Sequence, residues 1–164
     1  MDSSIETAFN EIVEELDYPM LVVTAADGAR RGGCLVGFST QSSLSPPHYL
    51  VCLSRQNHTF RIAERAEFLG VHFLPAGAAD LARLFGEETG DDLDKFAKCD
   101  WKPGPEGVPL LERCGNRFVG RVLNRVDCGD HVAFMLEPIL VSAAHTLRPF
   151  PFHRAKRLEP GHPA

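Results

Sequence analysis

Apolar positions recur along this chain with two periods, and the switches between them predict its elements. Ile5, Phe9, Ile12, Val13 and Leu16 fall three and four residues apart, which sets them on one side of an amphipathic helix. Ser3 or Ser4 can cap that helix, Glu6 or Thr7 stands in its first turn, and Asp17-Tyr18-Pro19 ends it. Residues 20–25 read as a strand, Ala26-Asp27-Gly28 as a turn, and Arg30 opens a second strand reaching Phe38; Asp-Gly between two apolar runs is a hairpin signal. A polar loop, STQSSLSPP, separates this strand from the next, at residues 48–53. There follow a helix from about Thr59 to Ala66, a strand over 68–74 and a helix over 78–85 that stops at Gly86. Leu93, Phe96 and Ala97 belong to a short helix, residues 101–105 form a rigid loop, and Pro109-Leu110-Leu111 resumes packing. Two longer strands, 117–126 and 131–140, are joined by Asp127-Cys128-Gly129-Asp130 and should form an antiparallel hairpin. Six or seven mostly antiparallel strands with helices inserted between them predict a mainly β fold, a closed or split β-barrel with peripheral helices.

Length and charge narrow the classes of function. At 164 residues the chain reads as a single domain over 1–164, with residues 1–17 as an N-terminal helix and 142–164 as an extended tail lying across a surface or a partner subunit. A formal net charge of −5 with no basic block argues against nucleic acid as a partner. The acidic N-terminus is no signal peptide, and no run approaches the ~18 apolar residues that cross a bilayer, so no membrane is implied and the cytoplasm is the expected location. Five scattered cysteines without a C-x-x-C pair argue against zinc ribbons and thioredoxin-like motifs; Cys34 and Cys52, inside apolar strands, read as small hydrophobes.

The chemistry concentrates between Gly32 and Phe60. Ser54, Arg55, Asn57, His58 and Thr59 precede a helical pattern and can offer several donors to a phosphate, although Asn57 or Thr59 could equally be a plain helix cap. Ser39, Ser42, Ser43 and Ser45 read as loop donors, since no G-x-S-x-G elbow or S-x-x-K motif is present to activate a serine. The histidines show no H-x-x-x-H or H-E-x-x-H spacing, which argues against a helical zinc site and leaves no metal expected. His131, at the mouth of a strand after a Gly-Asp turn, could face a ligand. The carboxylates around Glu87 and Asp91 read as a solvated turn, and Trp101 with Phe96 as a packing anchor.

Several segments in register resemble the flavin reductase-like, FMN-binding split barrels. They are G-C-L-V-G-F-S-T-Q-S-S-L-S-P-P from Gly33, L-V-C-L-S-R-Q-N-H-T from Leu50, V-H-F-L from Val71, L-F-G ending at Gly86, D-K-F-A from Asp94, W-K-P-G-P-E-G-V-P-L from Trp101 and G-D-H from Gly129. The resemblance covers roughly residues 18–140. It implies a homodimeric split barrel that binds FMN or FAD near the dimer interface and uses NADH or NADPH. The ring and ribityl chain would lie along Gly33, Cys34, Leu35, Gly37, Phe38, Ser39 and Thr40. The phosphate would meet the corner formed by Cys52, Leu53, Ser54, Arg55, Asn57, His58 and Thr59, with Phe85 nearby. Nicotinamide contacts would come partly from His153 and Arg154, and His131 matches a histidine that faces the flavin. The activity implied is hydride transfer from nicotinamide to flavin, with a monooxygenase as a potential recipient of the reduced flavin; the alternative is a module that holds flavin or deazaflavin without efficient turnover. Two departures bear on that choice. Gly37 and Phe38 stand where many relatives carry hydroxyl or amide side chains, and the tail reads Phe152-His153-Arg154-Ala155-Lys156 where relatives carry a Y-H-R-G-x-Y-like sequence.

Overall fold

The computed structural model describes residues 2–144 and 146–159; Met1, His145 and the last five positions of the tail lie outside the described residues. The elements, in order, are α1 (Ser3–Glu14), β1 (Leu21–Asp27), β2 (Arg30–Val36), β3 (Ser39–Leu44), β4 (Pro47–Ser54), α2 (His58–Ala63), β5 (Phe68–Phe73), α3 (Ala79–Gly86), β6 (Trp101–Pro103), β7 (Pro109–Leu111), β8 (Arg117–Cys128), β9 (His131–Ser142) and α4 (Phe152–Ala155), with a 3-10 turn at Lys95–Lys98. One seven-stranded antiparallel sheet runs β2-β1-β5-β8-β9-β4-β3, and β6 pairs with β7 apart from it.

The sheet's two edge strands, β2 and β3, are consecutive in the chain and separated only by Gly37 and Phe38. Those two residues therefore carry the chain from one edge to the other, which curls the sheet into a barrel. Cys52 of β4 donates its amide to the Phe38 carbonyl (2.9 Å), fastening the crossing.

Strand β1 is buried on both faces, as its unbroken apolar run requires. Leu21 and Val23 face the barrel interior with Val51, Leu53, Phe60, Phe134 and Leu136. Met20 and Val22 face an outer layer with Leu74, Leu81, Phe85, Phe96 and Leu111. Glycines on β2 let the helices approach closely. A Cβ on Gly32 would lie 3.0 Å from Thr59 Cα in α2, and one on Gly33 would lie 2.6 Å from the Phe85 ring of α3.

His72 stitches the outer layer to the barrel. It is fully buried; the Leu111 amide donates to Nε2 (3.1 Å), so Nδ1 carries the proton and donates to the Val22 carbonyl (3.0 Å). Thr24 Oγ1 adds a 2.7 Å bond to the Pro109 carbonyl. Burial holds the His72 pKa down, to about 4.

Four readings change. STQSSL is strand β3 and not a loop, because its backbone pairs with β4 from Ser39↔Val51 to Leu44↔Pro47. Residues 101–103 are strand β6, paired Trp101↔Leu111, where a loop was expected. Asp2, and neither Ser3 nor Ser4, caps α1 by accepting from the Ser4 amide (2.9 Å). The tail, read as extended, folds back through bridges Pro149↔Pro75 and Pro151↔Pro19 and adds a turn of helix, α4. Helix α1 is amphipathic as expected but buries nothing: Ile5, Phe9, Ile12 and Leu16 are each more than half exposed.

Two outcomes test this packing. Gly33→Ala should lower stability by about 1–3 kcal/mol, read from the urea midpoint, because Phe85 cannot yield without disturbing Phe96. The His72 imidazole should remain neutral well below pH 6 in a nitrogen-labelled titration. Its unfolded pKa of 6.5 exceeds the folded value of about 4, so its contribution is complete above 6.5 and shrinks as pH falls from 6.5 toward 4, by up to about 3 kcal/mol in all.

Candidate functional site

A cavity of about 220 Å³ opens over the crossing between the sheet edges. Residues 34–38 form one wall, Cys52, Leu53 and Ser54 of β4 with Asn57 form another, and His131 at the start of β9 closes one side. Tyr18 and Phe152 complete it: the rings stack with centroids 4.5 Å apart and planes within 12°. A Cβ on Gly37 would lie 2.8 Å from the Tyr18 ring, so the glycine is what lets the aromatic pair come this close. Phe38 is 56% exposed and packs its ring 5.2 Å from that of His131. The cavity thus has one rigid aromatic wall and one partly open aromatic rim.

His131 is oriented by its neighbour. Nδ1 lies 2.7 Å from Asp130 Oδ1, which leaves Nε2 for the cavity, and this bond holds the Asp130 carboxyl below the usual carboxylate range. Ser39 Oγ and Tyr49 Oη form a 3.1 Å bond, while Thr40 is exposed and donates to the Gln41 carbonyl (3.2 Å).

At the corner between β4 and α2 the expected donors divide. Asn57 is the cap, with Oδ1 accepting from the Thr59 amide (2.9 Å). Ser54 Oγ accepts from the Gln56 amide at 3.4 Å. The Arg55 guanidinium is committed to the β8–β9 turn, with Nε donating to the Gly129 carbonyl (3.1 Å) and a 3.0 Å ion pair to Asp127. His58 Nδ1 lies 3.0 Å from Asp91 Oδ1, and both Asp91 carboxylate oxygens also accept from Arg61 Nη2, at 2.5 and 2.6 Å. The bonds from His58 and Arg61 hold the Asp91 carboxyl below the usual range. Asp91, read as part of a solvated turn, therefore pins the loop after α3 to α2.

Thr59 is different. It is 1% exposed and its hydroxyl has no nitrogen or oxygen partner among the described residues, the nearby Cys34 sulfur being only a weak acceptor. Cys34 is inert, since burial pushes its thiol up to about 11. Burial likewise raises Cys52.

The tail basic pair does not reach the cavity wall. The His153 amide donates to Asp17 (3.1 Å) and its Nε2 lies 3.3 Å from the Glu14 carbonyl, while Arg154 donates to the Ala76 carbonyl (2.7 Å) over the Phe150 ring. Phe152 takes the position in the cavity. Phe85 lies in the outer core against Gly33, and Leu35 packs under Gly86.

Sequence reasoning missed Tyr18, Met20, Val36 and Phe152 in the cavity, and it missed Lys95. The ammonium of Lys95 is buried and donates to the carbonyls of Gly33 (3.0 Å) and Phe85 (3.3 Å), and burial lowers its pKa. A lysine directly before the apolar pair Phe96-Ala97 in D-K-F-A was the available signal. For Tyr18 and Phe152 it was two aromatics beside prolines.

Comparisons with known proteins agree on one family. The flavin reductase like domain profile matches residues 13–157. The FMN reductase (NADH) RutF of Klebsiella pneumoniae is 30% identical over 131 residues, covering 80% of this chain and 79% of the relative. Among solved structures, the NADH:FAD oxidoreductase SgcE6 of Streptomyces globisporus superposes with a TM-score of 0.81 at 24% identity, covering 92% of this chain and 90% of that one. The nitrilotriacetate monooxygenase component B of Mycobacterium thermoresistibile gives 0.79 at 20% identity, covering 92% and 84%.

The unpartnered Thr59 hydroxyl generates a stability test on the ligand-free protein. A buried hydroxyl without a partner costs about 1–3 kcal/mol, so Thr59→Val should leave the urea midpoint unchanged or raise it. A clear loss would mean that the hydroxyl supports the fold.

Proposed function

This chain belongs to the flavin reductase-like domain family, and from that membership and the site's geometry we propose that it is an NAD(P)H:flavin oxidoreductase binding FMN or FAD. The single observation that carries the reading is the site itself: an aromatic-walled cavity set on the barrel crossing, next to a buried hydroxyl left without a partner. When bound, flavin supplies the redox chemistry by accepting a hydride at N5 from nicotinamide C4.

The chain's own residues then bind, orient and shield. The Tyr18–Phe152 stack and residues 34–38 give the ring an apolar seat that excludes water. Gly37 and Phe38 belong to neither flanking strand, so their backbone amides are the ones for the ring's polar edge. Ser54, Thr59 and Lys95 are the candidates for the phosphate end, with Thr59 the group that gains most. His131, its Nδ1 held by Asp130, offers Nε2 as a hydrogen-bonding or proton-holding atom at the cavity rim. No nucleophile is required, which fits a cavity whose two thiols, Cys34 buried and Cys52 half-buried, are held poorly ionised by desolvation.

The reading includes a homodimer. A 220 Å³ cavity is smaller than a typical 300–1,000 Å³ ligand pocket. Phe38 stands open at its rim and α1 leaves an entire apolar face uncovered, and a second copy would answer both. A rim this open also suits release of reduced flavin to an acceptor such as a monooxygenase. No helix among the described residues is long and apolar enough to cross a membrane. Five free cysteines fit the reducing cytoplasm, where we place the protein.

One observation favours the second reading, a flavin- or deazaflavin-holding module that turns over NADH poorly: His153 and Arg154, the expected nicotinamide contacts, are already tied to the body of the protein. Steady-state oxidation of NADH and NADPH with added FMN and FAD decides between them. Flavin-stimulated oxidation is expected; tight flavin binding without oxidation would favour the module. Thr59→Val should weaken flavin affinity about tenfold with no loss of melting temperature, as expected for a hydroxyl used only by ligand. Arg55→Ala should do the reverse, because its guanidinium holds the hairpin turn.

A further inference from the structure

The flavin cavity has one lining side chain whose position the fold does not fix. Of the residues that line it, Phe38 alone is exposed; Cys34, Val36 and Leu53 are buried, and Tyr18 is held against Phe152. The Phe38 backbone is fastened on every side. Its carbonyl accepts from the Cys52 amide (2.9 Å), Gly37 before it is packed against the Tyr18 ring, and Ser39 after it opens β3 in register with Val51. The freedom left to Phe38 is rotation of its side chain.

One aromatic contact holds that side chain where it is. The Phe38 ring lies 5.2 Å from the His131 ring with the planes tilted by 53°, and His131 is itself anchored through Nδ1 to Asp130. A single contact of this kind biases a side chain toward one position by roughly twofold to tenfold. The alternative, turned out into water, is open to Phe38 because more than half of it already faces solvent. Two positions of similar energy, joined by a χ1 rotation, make a gate. The buried walls leave the rim that Phe38 shares with His131 as the way in for a second planar group. His153 and Arg154 are tied to the body of the protein, so neither stands ready to hold nicotinamide clear of Phe38.

We propose that Phe38 is a specificity-determining gate: resting on His131, its ring covers the approach to the flavin, and nicotinamide reaches the flavin only when that ring turns outward. The step it controls is the hydride transfer named above. The C4–H bond of NADH breaks, the hydrogen and its electron pair pass to flavin N5, and NAD+ and reduced flavin result. The closed fraction weakens the apparent affinity for nicotinamide in proportion, while a small reductant passes. The inference rests on the flavin reading above and adds to it the residue that discriminates among reductants.

Anaerobic rapid mixing of the flavin-loaded protein with NADH, beside equilibrium titration of the flavin-free protein with FMN and FAD, tests it. Phe38→Ala keeps the backbone amide and removes the ring. Its flavin affinity should stay within about threefold, while the NADH concentration for half-maximal flavin reduction falls by up to about tenfold. Phe38→Leu, apolar but not planar, should fall between. Dithionite, small enough to pass a closed gate, should reduce the wild type and Phe38→Ala at rates within about twofold of each other. An unchanged or raised NADH requirement in Phe38→Ala would overturn the proposal, as would flavin bound by both proteins and reduced by NADH in neither. A loss of flavin affinity as large as the change for NADH would make Phe38 part of the ring's seat and also overturn it. A second copy that buries Phe38 would show as dissociation of Phe38→Ala in sedimentation with its NADH requirement unchanged, which excludes the gate. Failure of FMN and FAD to bind the wild-type protein would remove the flavin reading itself, a result distinct from a bound flavin whose reduction ignores Phe38.

Discussion

The absence of side chains at Gly32 and Gly33 is the constraint on which this site depends. Strand β2 is touched there from both sides, with Thr59 Cα 3.0 Å from one missing Cβ and the Phe85 ring 2.6 Å from the other. Any larger residue would push α2 or α3 outward. That movement would carry Thr59 away from β2 and break the Lys95 bonds, since Lys95 reaches the Gly33 and Phe85 carbonyls together. Gly37 repeats the device four residues beyond Gly33, where it admits the Tyr18 ring. Glycine on an edge strand usually weakens it; here the loss is offset by close packing of two helices and an aromatic pair.

Most of the charged groups near the site are already spent on the protein itself. Arg55 fastens the β8–β9 turn, His58 and Arg61 hold Asp91, and the tail pair is tied to Asp17, Glu14 and Ala76. A satisfied guanidinium must break existing bonds to meet a ligand, so it contributes little net affinity. A buried hydroxyl with no partner, or a buried ammonium with one proton unspent, has nothing to give up. By that reasoning Thr59 and Lys95 outrank the more conspicuous arginines and histidines as ligand donors.

The barrel was legible because apolar periodicity and Asp-Gly or Gly-Asp turns bracket nearly every strand. Strand β3 was not, for its composition is that of a loop: it lies at the sheet edge with mostly exposed residues, and backbone pairing with β4 alone makes it a strand. Apart from Val36, the residues of the cavity that come from β2, β4 and the G-D-H turn were named because they lie within motifs. Tyr18 and Phe152 were not, because their contact exists only after the tail folds back across Pro19. Asp91 shows the same limit in reverse, since a local acidic turn cannot reveal partners in α2.

Helix α1 shows what periodicity can and cannot say. The spacing of Ile5, Phe9, Ile12 and Leu16 correctly marks an amphipathic helix, yet none of its residues is buried in its own chain. A helix of 12 residues that buries none of them, held by its cap and a 3.3 Å contact from His153 Nε2 to the Glu14 carbonyl, is marginal in water. Its apolar face is left uncovered by the described residues of its own chain, which is the observation behind the proposed dimer. The helix ends at Glu14, and four residues on Tyr18 walls the cavity, so in that dimer whatever covers α1 would also come to rest beside the mouth of the site. In the proposed dimer, cover for the helix and completion of a half-open cavity would be one requirement, which a single symmetric contact can meet.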